Sequence, residues 1–430
     1  MITSRPSLHF YKKVHFIIYL TLFIMVTHLT IHYRKISLEN SAHNQKSYSN
    51  SNLSAEQIQA QIALEDEQAF LQMTIDNSDK EEVVLPMKSH NPNDPRDFDP
   101  NTLTGEARLD YFLKVKRILE RREFLKNNTR YVQASTEEFH HHLPKMIIVG
   151  SKKCGTGALA KALAMHPLIK YSGEMFYFLR YSKQHDLKWY AKHLAPSRNS
   201  DLPFEKTPIY LFSASIARKI KREIPDVKII NIMCDPVKRI YSDFLHWYNL
   251  RNKQDEATGE KFEELVNSGL VEIYKRKARV LSGNTTWNAM WKLEDSNFAI
   301  HGSNFQVNIL KSAYSIYLKE WYKLFKKDIN FLNLDGSELY TDPGKIFTQV
   351  QKFLNLPVAI TGDNFFYNEN RGLFCKIDVD GVPSCPGAGK GRSTKSVVSD
   401  GVKQKLRDVL AEFTRELEVM EGKKFDHWAW

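Results

Sequence analysis

At 430 residues the chain is long enough for one large domain or two ordinary ones, and its 42% apolar and 12% aromatic content excludes wholesale disorder. Sixty-one Lys and Arg against 50 Asp and Glu give a formal charge of +11, which suggests an acidic partner without choosing between nucleic acid, membrane and polysaccharide. Four cysteines exclude a disulfide-built mini-domain, and no two of them have C-x-x-C zinc spacing.

The charge is unevenly placed. Arg5, Lys12 and Lys13 precede a mostly apolar run from Val14 to Tyr33, and Arg34 and Lys35 follow it. About 20 such residues cross a hydrocarbon core of roughly 30 Å. The run has neither the shorter core nor the small-residue cleavage site of a removable signal. Residues 14–33 therefore read as a transmembrane signal anchor, with 1–13 as a cytoplasmic tail and the remainder lumenal.

Residues 36–100 hold 12 acidic and four basic residues, with Ser, Asn and Gln filling most of the rest. That is the composition of a solvated stalk, although Ser54 to Met73 has a helical pattern capped by Ser54. A second amphipathic helix is predicted from Glu106 to Lys126, with Leu109, Phe112, Val115 and Leu119 among its apolar positions. His140, His141 and His142 are consecutive, so their side chains do not converge on a metal, and the run reads as a solvated linker. The stem as a whole spans 34–142.

Taken piecewise, the first 35 residues contribute +5, the stalk −8 and residues 101–430 +14. The folded part is strongly basic and the stalk conceals it. A lumenal position turns that charge towards an acidic polysaccharide and away from nucleic acid. Sequons at Asn52, Asn127 and Asn284 all fall on the lumenal side of such an anchor.

Beyond Pro144 the pattern becomes α/β. Met146-Ile147-Ile148-Val149 is a buried-strand run bounded by Gly150, and Ser151 to Gly157 is a Gly- and Lys-containing turn. Ala158 to Met165 then reads as a helix stopped by His166-Pro167. Strand, turn and helix make an anion cradle, because backbone N–H groups and the positive helix end converge on one phosphate. A nucleotide-hydrolase loop puts Lys directly after its second Gly. Here Thr156 follows Gly155 and the lysines come earlier, at 152 and 153, which disfavours ATP or GTP hydrolysis.

From Pro144 to Pro167 the chain resembles the Golgi sulfotransferases, most closely the heparan sulfate glucosaminyl 3-O-sulfotransferase and N-sulfotransferase group. The likeness recurs in order to the end of the chain. Glu174-Met175-Phe176-Tyr177-Phe178 is similar to the family's Glu-containing aromatic segment, and Trp189-Tyr190 to its Trp-Tyr. Glu205-Lys206-Thr207-Pro208 is similar to its Glu-Lys-Thr-Pro. A second apolar strand, Val227 to Met233, leads into Asp235-Pro236-Val237-Lys238-Arg239-Ile240-Tyr241-Ser242, similar to its 3′-phosphate motif. Asn364 to Cys375, then Cys385 and Lys390-Gly391-Arg392, is similar to its C-terminal cofactor loop.

The resemblance implies a P-loop-like α/β sulfotransferase fold over residues 143–430, a central parallel sheet flanked by helices. It implies PAPS as sulfuryl donor with no metal, a heparan-sulfate-like acceptor sulfated at a glucosamine 3-hydroxyl, and a type II Golgi membrane protein. N-sulfation, another acceptor, or a silent glycan-binding descendant are the alternatives.

Carried over by position, Lys153, Cys154, Gly155, Thr156 and Gly157 hold the 5′-phosphosulfate, and Ser242 takes the 3′-phosphate. Phe374 packs on the adenine, and Lys390, Gly391 and Arg392 close over the nucleotide. In-line transfer also needs a base for the acceptor's proton and cations for the growing negative charge. Glu174 is the candidate base, and Lys153 and Lys206 the cations. Glu174, Lys206, Thr207 and Pro208 are expected to line the acceptor.

Cys234 stands where the 3-O group has a phosphate-binding Arg, with Lys238 or Arg239 as candidate replacements. Phe176 stands where that group has a His, and Leu179 falls near its acidic position. Cys375 and Cys385 lie where the family forms its disulfide. Cys154 and Cys234 are expected to be free thiols, since a bridge between them would block the nucleotide site.

Overall fold

In the computed structural model, which describes residues 103, 105–283, 305–369, 372–386 and 398–428, five strands form a central sheet. They are β1 (Met146–Gly150), β2 (Ile169–Tyr171), β3 (Leu202–Lys206), β4 (Lys228–Met233) and β5 (Phe331–Asp335), in the order β2-β3-β1-β4-β5. Every pairing is parallel. A sheet of this kind is covered on both faces, and its strands read as continuous apolar runs.

β1 shows why. Ile147 and Val149 enter one core cluster, Met146 and Ile148 enter another, and all four are fully buried. The chain leaves β1 towards β3 and β2 on one side and continues from β4 to β5 on the other. The crevice above the carboxyl ends of β1 and β4 is therefore the place where an open α/β sheet binds ligands.

The helix after β1 runs Thr156–Leu163, starting two residues before the predicted Ala158. A second sheet is antiparallel: β6 (Phe365–Asn368), β7 (Leu373–Ile377) and β8 (Pro383–Ser384). A disulfide between Cys375 and Cys385, with Cα atoms 4.4 Å apart, ties β7 to the residue after β8. Closing so short a loop contributes about 2–3 kcal/mol in the chain-entropy model.

The helix Gly105–Lys126 forms as predicted but presents a different face. Tyr111, Leu113, Val115, Ile118 and Leu125 are its buried positions, whereas Leu109, Phe112 and Leu119 are only half-buried. The face is set by the second sheet, where Tyr111 meets Phe366 edge-on and Val115 lies against Gly381. Arg117 and Arg121 both bind the carboxylate of Asp363, at 2.8 and 2.7 Å. This helix lies in the same compact unit, Pro86–Trp430, as the central sheet.

The three histidines lie at the surface, as expected, and are also held in place: His140 and His141 are exposed and His142 is half-buried. His140 pairs through its backbone with Ser197, His141 Nδ1 contacts the Leu194 carbonyl at 3.2 Å, and His142 contacts Ser197 Oγ and Asn199 Oδ1.

No helix among the described residues is long and apolar enough to cross a membrane. The expected anchor 14–33, the stalk up to residue 100, Asn52, Asn284 and Lys390-Gly391-Arg392 lie outside the described residues.

Candidate active site

The turn after β1 is shaped for an anion. Ser151 N–H bonds back to the Ile232 carbonyl at 2.8 Å and Cys154 N–H to Ser151 at 3.1 Å, which folds the turn over the end of β4. Lys153 has φ +77° and Gly155 φ +91°. The left-handed region costs a non-glycine residue about 1–2 kcal/mol, so the Lys153 conformation is held by its surroundings.

Gly155 is the N-cap of the helix Thr156–Leu163, and no side chain caps it. The helix's leading N–H groups are thus left for a ligand, with the positive end of the helix behind them. A Cβ placed on Gly157 would meet nothing within 4 Å, so the first turn opens onto space.

Cys154 and Cys234 are bonded to each other, with Cα atoms 5.2 Å apart, and free thiols are not found among the four cysteines. The expectation of two thiols is overturned by topology. β1 and β4 are neighbours, so the residues that follow their carboxyl ends are brought together. The bridge packs into the core, with Cys234 partly buried against it. Cys154 is 4% exposed and belongs to the core cluster beneath the turn. There Tyr314 Oη lies 3.3 Å from its sulfur and donates to the Cys234 carbonyl at 2.9 Å.

The bridge closes a sequence separation of 80. In the chain-entropy model such a loop contributes about 4.5 kcal/mol, and removed native bridges cost roughly 2–5. Replacing Cys154 and Cys234 together by Ala is expected to lower the unfolding free energy by about that amount, read from denaturant midpoints. An unchanged midpoint would mean that the folded protein does not form the bond.

Facing the turn is a second segment, between β2 and β3. Gly173 (φ +87°) and Phe176 (φ +53°) bracket Glu174 in a tight bend. Glu174 is partly exposed and forms an ion pair with Lys206 at the buried carboxyl end of β3. Base and cation candidates, 32 residues apart in sequence, therefore touch.

His246 links this pair to the phosphate turn. Burial pushes its pKa down to about 4, the charges of Lys153 and Lys152 push the same way, and Asp243 and Glu174 oppose them. The turn, the Glu174 bend, the end of β3 and the helix Pro236–Asn249 thus face one space.

Residues 143–378 match the sulfotransferase domain family. The chain belongs to that family. It is 29% identical over 291 residues to heparan sulfate glucosamine 3-O-sulfotransferase 3A1 of Mus musculus, covering 67% of this chain and 65% of the relative. To heparan sulfate glucosamine 3-O-sulfotransferase 5 of Homo sapiens it is 28% identical over 306 residues, covering 70% and 79%. To bifunctional heparan sulfate N-deacetylase/N-sulfotransferase 3 of Mus musculus it is 27% identical over 278 residues, covering 62% of this chain and 28% of the relative. Among solved structures, a sulfotransferase from Alicyclobacillus acidocaldarius aligns over 67% of this chain and 99% of that one, at 18% identity and a TM-score of 0.46.

In this sulfotransferase the remaining sequence-assigned residues sit as follows. Ser242 is half-buried on the helix Pro236–Asn249. Phe374 is half-buried on β7, edge-on to Tyr367 at 5.3 Å, against the core cluster that contains Leu159 and Leu163. Thr207 and Pro208 are buried, and the Thr207 hydroxyl donates to Glu205 at 2.6 Å, which places it behind the acceptor space. Asn127 lies in the described region, in the turn after the helix Gly105–Lys126.

Arg239 does not replace the missing arginine. Its guanidinium is fully buried and spent on Ser312 Oγ, Asp243 and Asn308. What it builds is a charged cluster one residue from Ser242. Asp243 binds Arg239 at 3.2 Å and Lys152 at 2.8 Å. Burial alone would raise its carboxyl, but Arg239, Lys152 and Lys311 outweigh that and hold it well below the usual range.

Lys311 is 6% exposed, and burial first, then Lys152 and Arg239, push its pKa down to about 8 against the pull of Asp243. Three cations around one carboxylate leave a net positive field beside Ser242. Asp243, His246 and Lys311 were not picked out from the sequence, and Glu205 was read only as part of the Glu-Lys-Thr-Pro run, with no role of its own. For His246 the local signal was its four-residue spacing from Ser242 on one helix face. Among the described residues no three His, Cys, Asp or Glu side chains are grouped as a metal site.

Proposed function

We propose that this protein transfers the sulfuryl group of PAPS to the glucosamine 3-hydroxyl of a heparan-sulfate-like chain. The observation that carries the reading is the Glu174–Lys206 pair, near enough to the Lys153 turn, which leads into an uncapped helix start, that His246 feels both. The residues fit such a donor: open first-turn N–H groups suit its 5′ end, and the positive cluster beside Ser242 suits its 3′-phosphate.

When bound, PAPS supplies an activated sulfuryl group whose S–O bond to phosphate breaks as the acceptor oxygen bonds to sulfur. Glu174 takes the proton of that hydroxyl. Lys206 first compensates the Glu174 carboxylate. Once the carboxylate is protonated and neutral, the ammonium charge is released to the sulfuryl oxygens beside it, where negative charge is growing. Lys153 neutralises the leaving phosphate from the other side.

The +14 of residues 101–430 steers and holds an acidic polysaccharide. We assign the protein to the Golgi membrane, with residues 14–33 as a type II anchor, 34–142 as stem and 143–430 as the lumenal transferase. Asn52, Asn127 and Asn284 are its glycan acceptors. The alternative of a silent glycan-binding descendant was motivated by Cys154 and Cys234, a bridge between them being expected to block the nucleotide site. The burial of Cys154 in the core supports the enzyme reading, since it keeps that half of the bridge out of the turn's open side.

Incubating the lumenal part with labelled PAPS and heparan sulfate, followed by disaccharide analysis, tests the reading. New 3-O-sulfated glucosamine is expected. Label in N-sulfoglucosamine would move the assignment to N-sulfation. No incorporation, together with no PAPS binding by calorimetry, would remove the enzyme assignment.

A further inference from the structure

The bend that carries Glu174 hangs from side chains of the β3 edge. Met175 N–H reaches Glu205 Oε2 at 3.4 Å, Phe176 N–H reaches Thr207 Oγ1 at 3.2 Å, and Phe178 N–H reaches Tyr210 Oη at 3.2 Å. All three acceptors meet in one network. Thr207 Oγ1 donates to Glu205 Oε2 at 2.6 Å, Tyr190 Oη donates to Oε1 at 3.1 Å, and Tyr210 also hydrogen-bonds the carboxylate. Glu205 is fully buried in the middle of a parallel sheet, opposite Ile147 of β1.

A carboxylate in that position is costly unless it has work to do. Its named partners are neutral donors, and their direction matters. While Glu205 is ionised, the Thr207 hydroxyl points its proton at the carboxylate and leaves its lone pairs for Phe176 N–H. A proton on Oε2 takes away the charge that Met175 N–H is drawn to, weakening an already long bond, and competes for the Thr207 oxygen. Phe176, held at φ +53°, relies on those bonds.

We propose that Glu205 is the positioning residue of this active site: its carboxylate sets the Glu174 bend, and the bend loosens when that carboxylate takes a proton. The proposal deepens the function above and rests on Glu174 acting as the base.

The groups facing Glu205 are Tyr190 from the helix Leu187–His193, Tyr210 from the turn after β3 and Tyr171 from β2. Burial raises all three tyrosines, so they remain neutral hydroxyls across the working range. Burial also pushes Glu205 up to about 7, against the opposing hydrogen bonds from Thr207, Tyr190, Met175 and Tyr210. A Glu near neutrality converts a modest acidification into a change of loop order.

Two measurements test this. Amide hydrogen exchange of the 173–178 segment in the wild-type protein, corrected for intrinsic rates, should lose protection as pH falls from 8 to 5.5, about a midpoint near 7. Constant protection over that range overturns the proposal, whether or not any variant folds. In the transfer assay, Glu205→Gln should lower kcat at pH 8 by roughly tenfold or more, leave PAPS affinity within about threefold, and abolish the acid limb near pH 7. A Glu205→Gln enzyme that keeps the wild-type limb also overturns it. Failure of the base assignment would appear elsewhere, as an active Glu174→Gln enzyme, while hydrogen exchange reads the bend independently of the base.

Discussion

Glu174→Gln is expected to lower sulfuryl transfer by roughly 10²- to 10⁴-fold, the range for removing a positioned general base, while PAPS affinity stays within about tenfold. The substitution is isosteric and the site is partly exposed, so folding is not at stake. The carboxylate lies in a bend fixed by three backbone hydrogen bonds and is paired to Lys206, so its position is set before an acceptor arrives. Gln keeps the shape and loses the proton acceptor. The loss should therefore fall on kcat, with little change in KM for PAPS. Near-normal turnover by Glu174→Gln would show that another group takes the proton. His246, which feels the charges of both Glu174 and Lys153, would then be the next residue to replace.

The parts of this site legible in the sequence were those coded locally. Gly155, the lysines before it and the apolar run ahead of it sit within a dozen residues, so strand, turn and helix could be placed from spacing alone. β1 was visible as an uninterrupted apolar run, and β4 as one broken only by Asn231 after its leading Lys228. β3 was not: Leu202-Pro203-Phe204-Glu205-Lys206 carries a proline and two charges, yet all five residues are buried. Burying a carboxylate violates the usual composition of a core strand, and here that exception coincides with the residues under the catalytic bend.

Arg239 and the cysteines failed for a different reason, since their fate depends on which elements become neighbours. Arg239 sits in a motif that reads as phosphate-binding, but the packing of Ser312 and Asn308 against the helix Pro236–Asn249 turns it inward. Cys154 and Cys234 are 80 residues apart, and only the adjacency of β1 and β4 puts them within bonding distance. Sequence periodicity reports burial but not strand order.

Lys206→Ala is the second large effect, expected at roughly 10²- to 10³-fold in kcat, the cost of removing one preorganised charge from a transition state. Its ammonium is almost fully buried at the end of β3, so its position is set by the sheet and not by a flexible surface rotamer. Lys206→Arg should rescue little, because a planar guanidinium cannot take the place of a compact ammonium in a tight site. The decisive measurement is the double variant. If proton uptake by Glu174 is what frees Lys206 to meet the sulfuryl oxygens, the two residues act as a unit. Glu174→Gln with Lys206→Ala together should then be little slower than the worse single variant. Effects that multiply would mean that the pair seen in the structure is only a resting contact, with base and cation contributing separately.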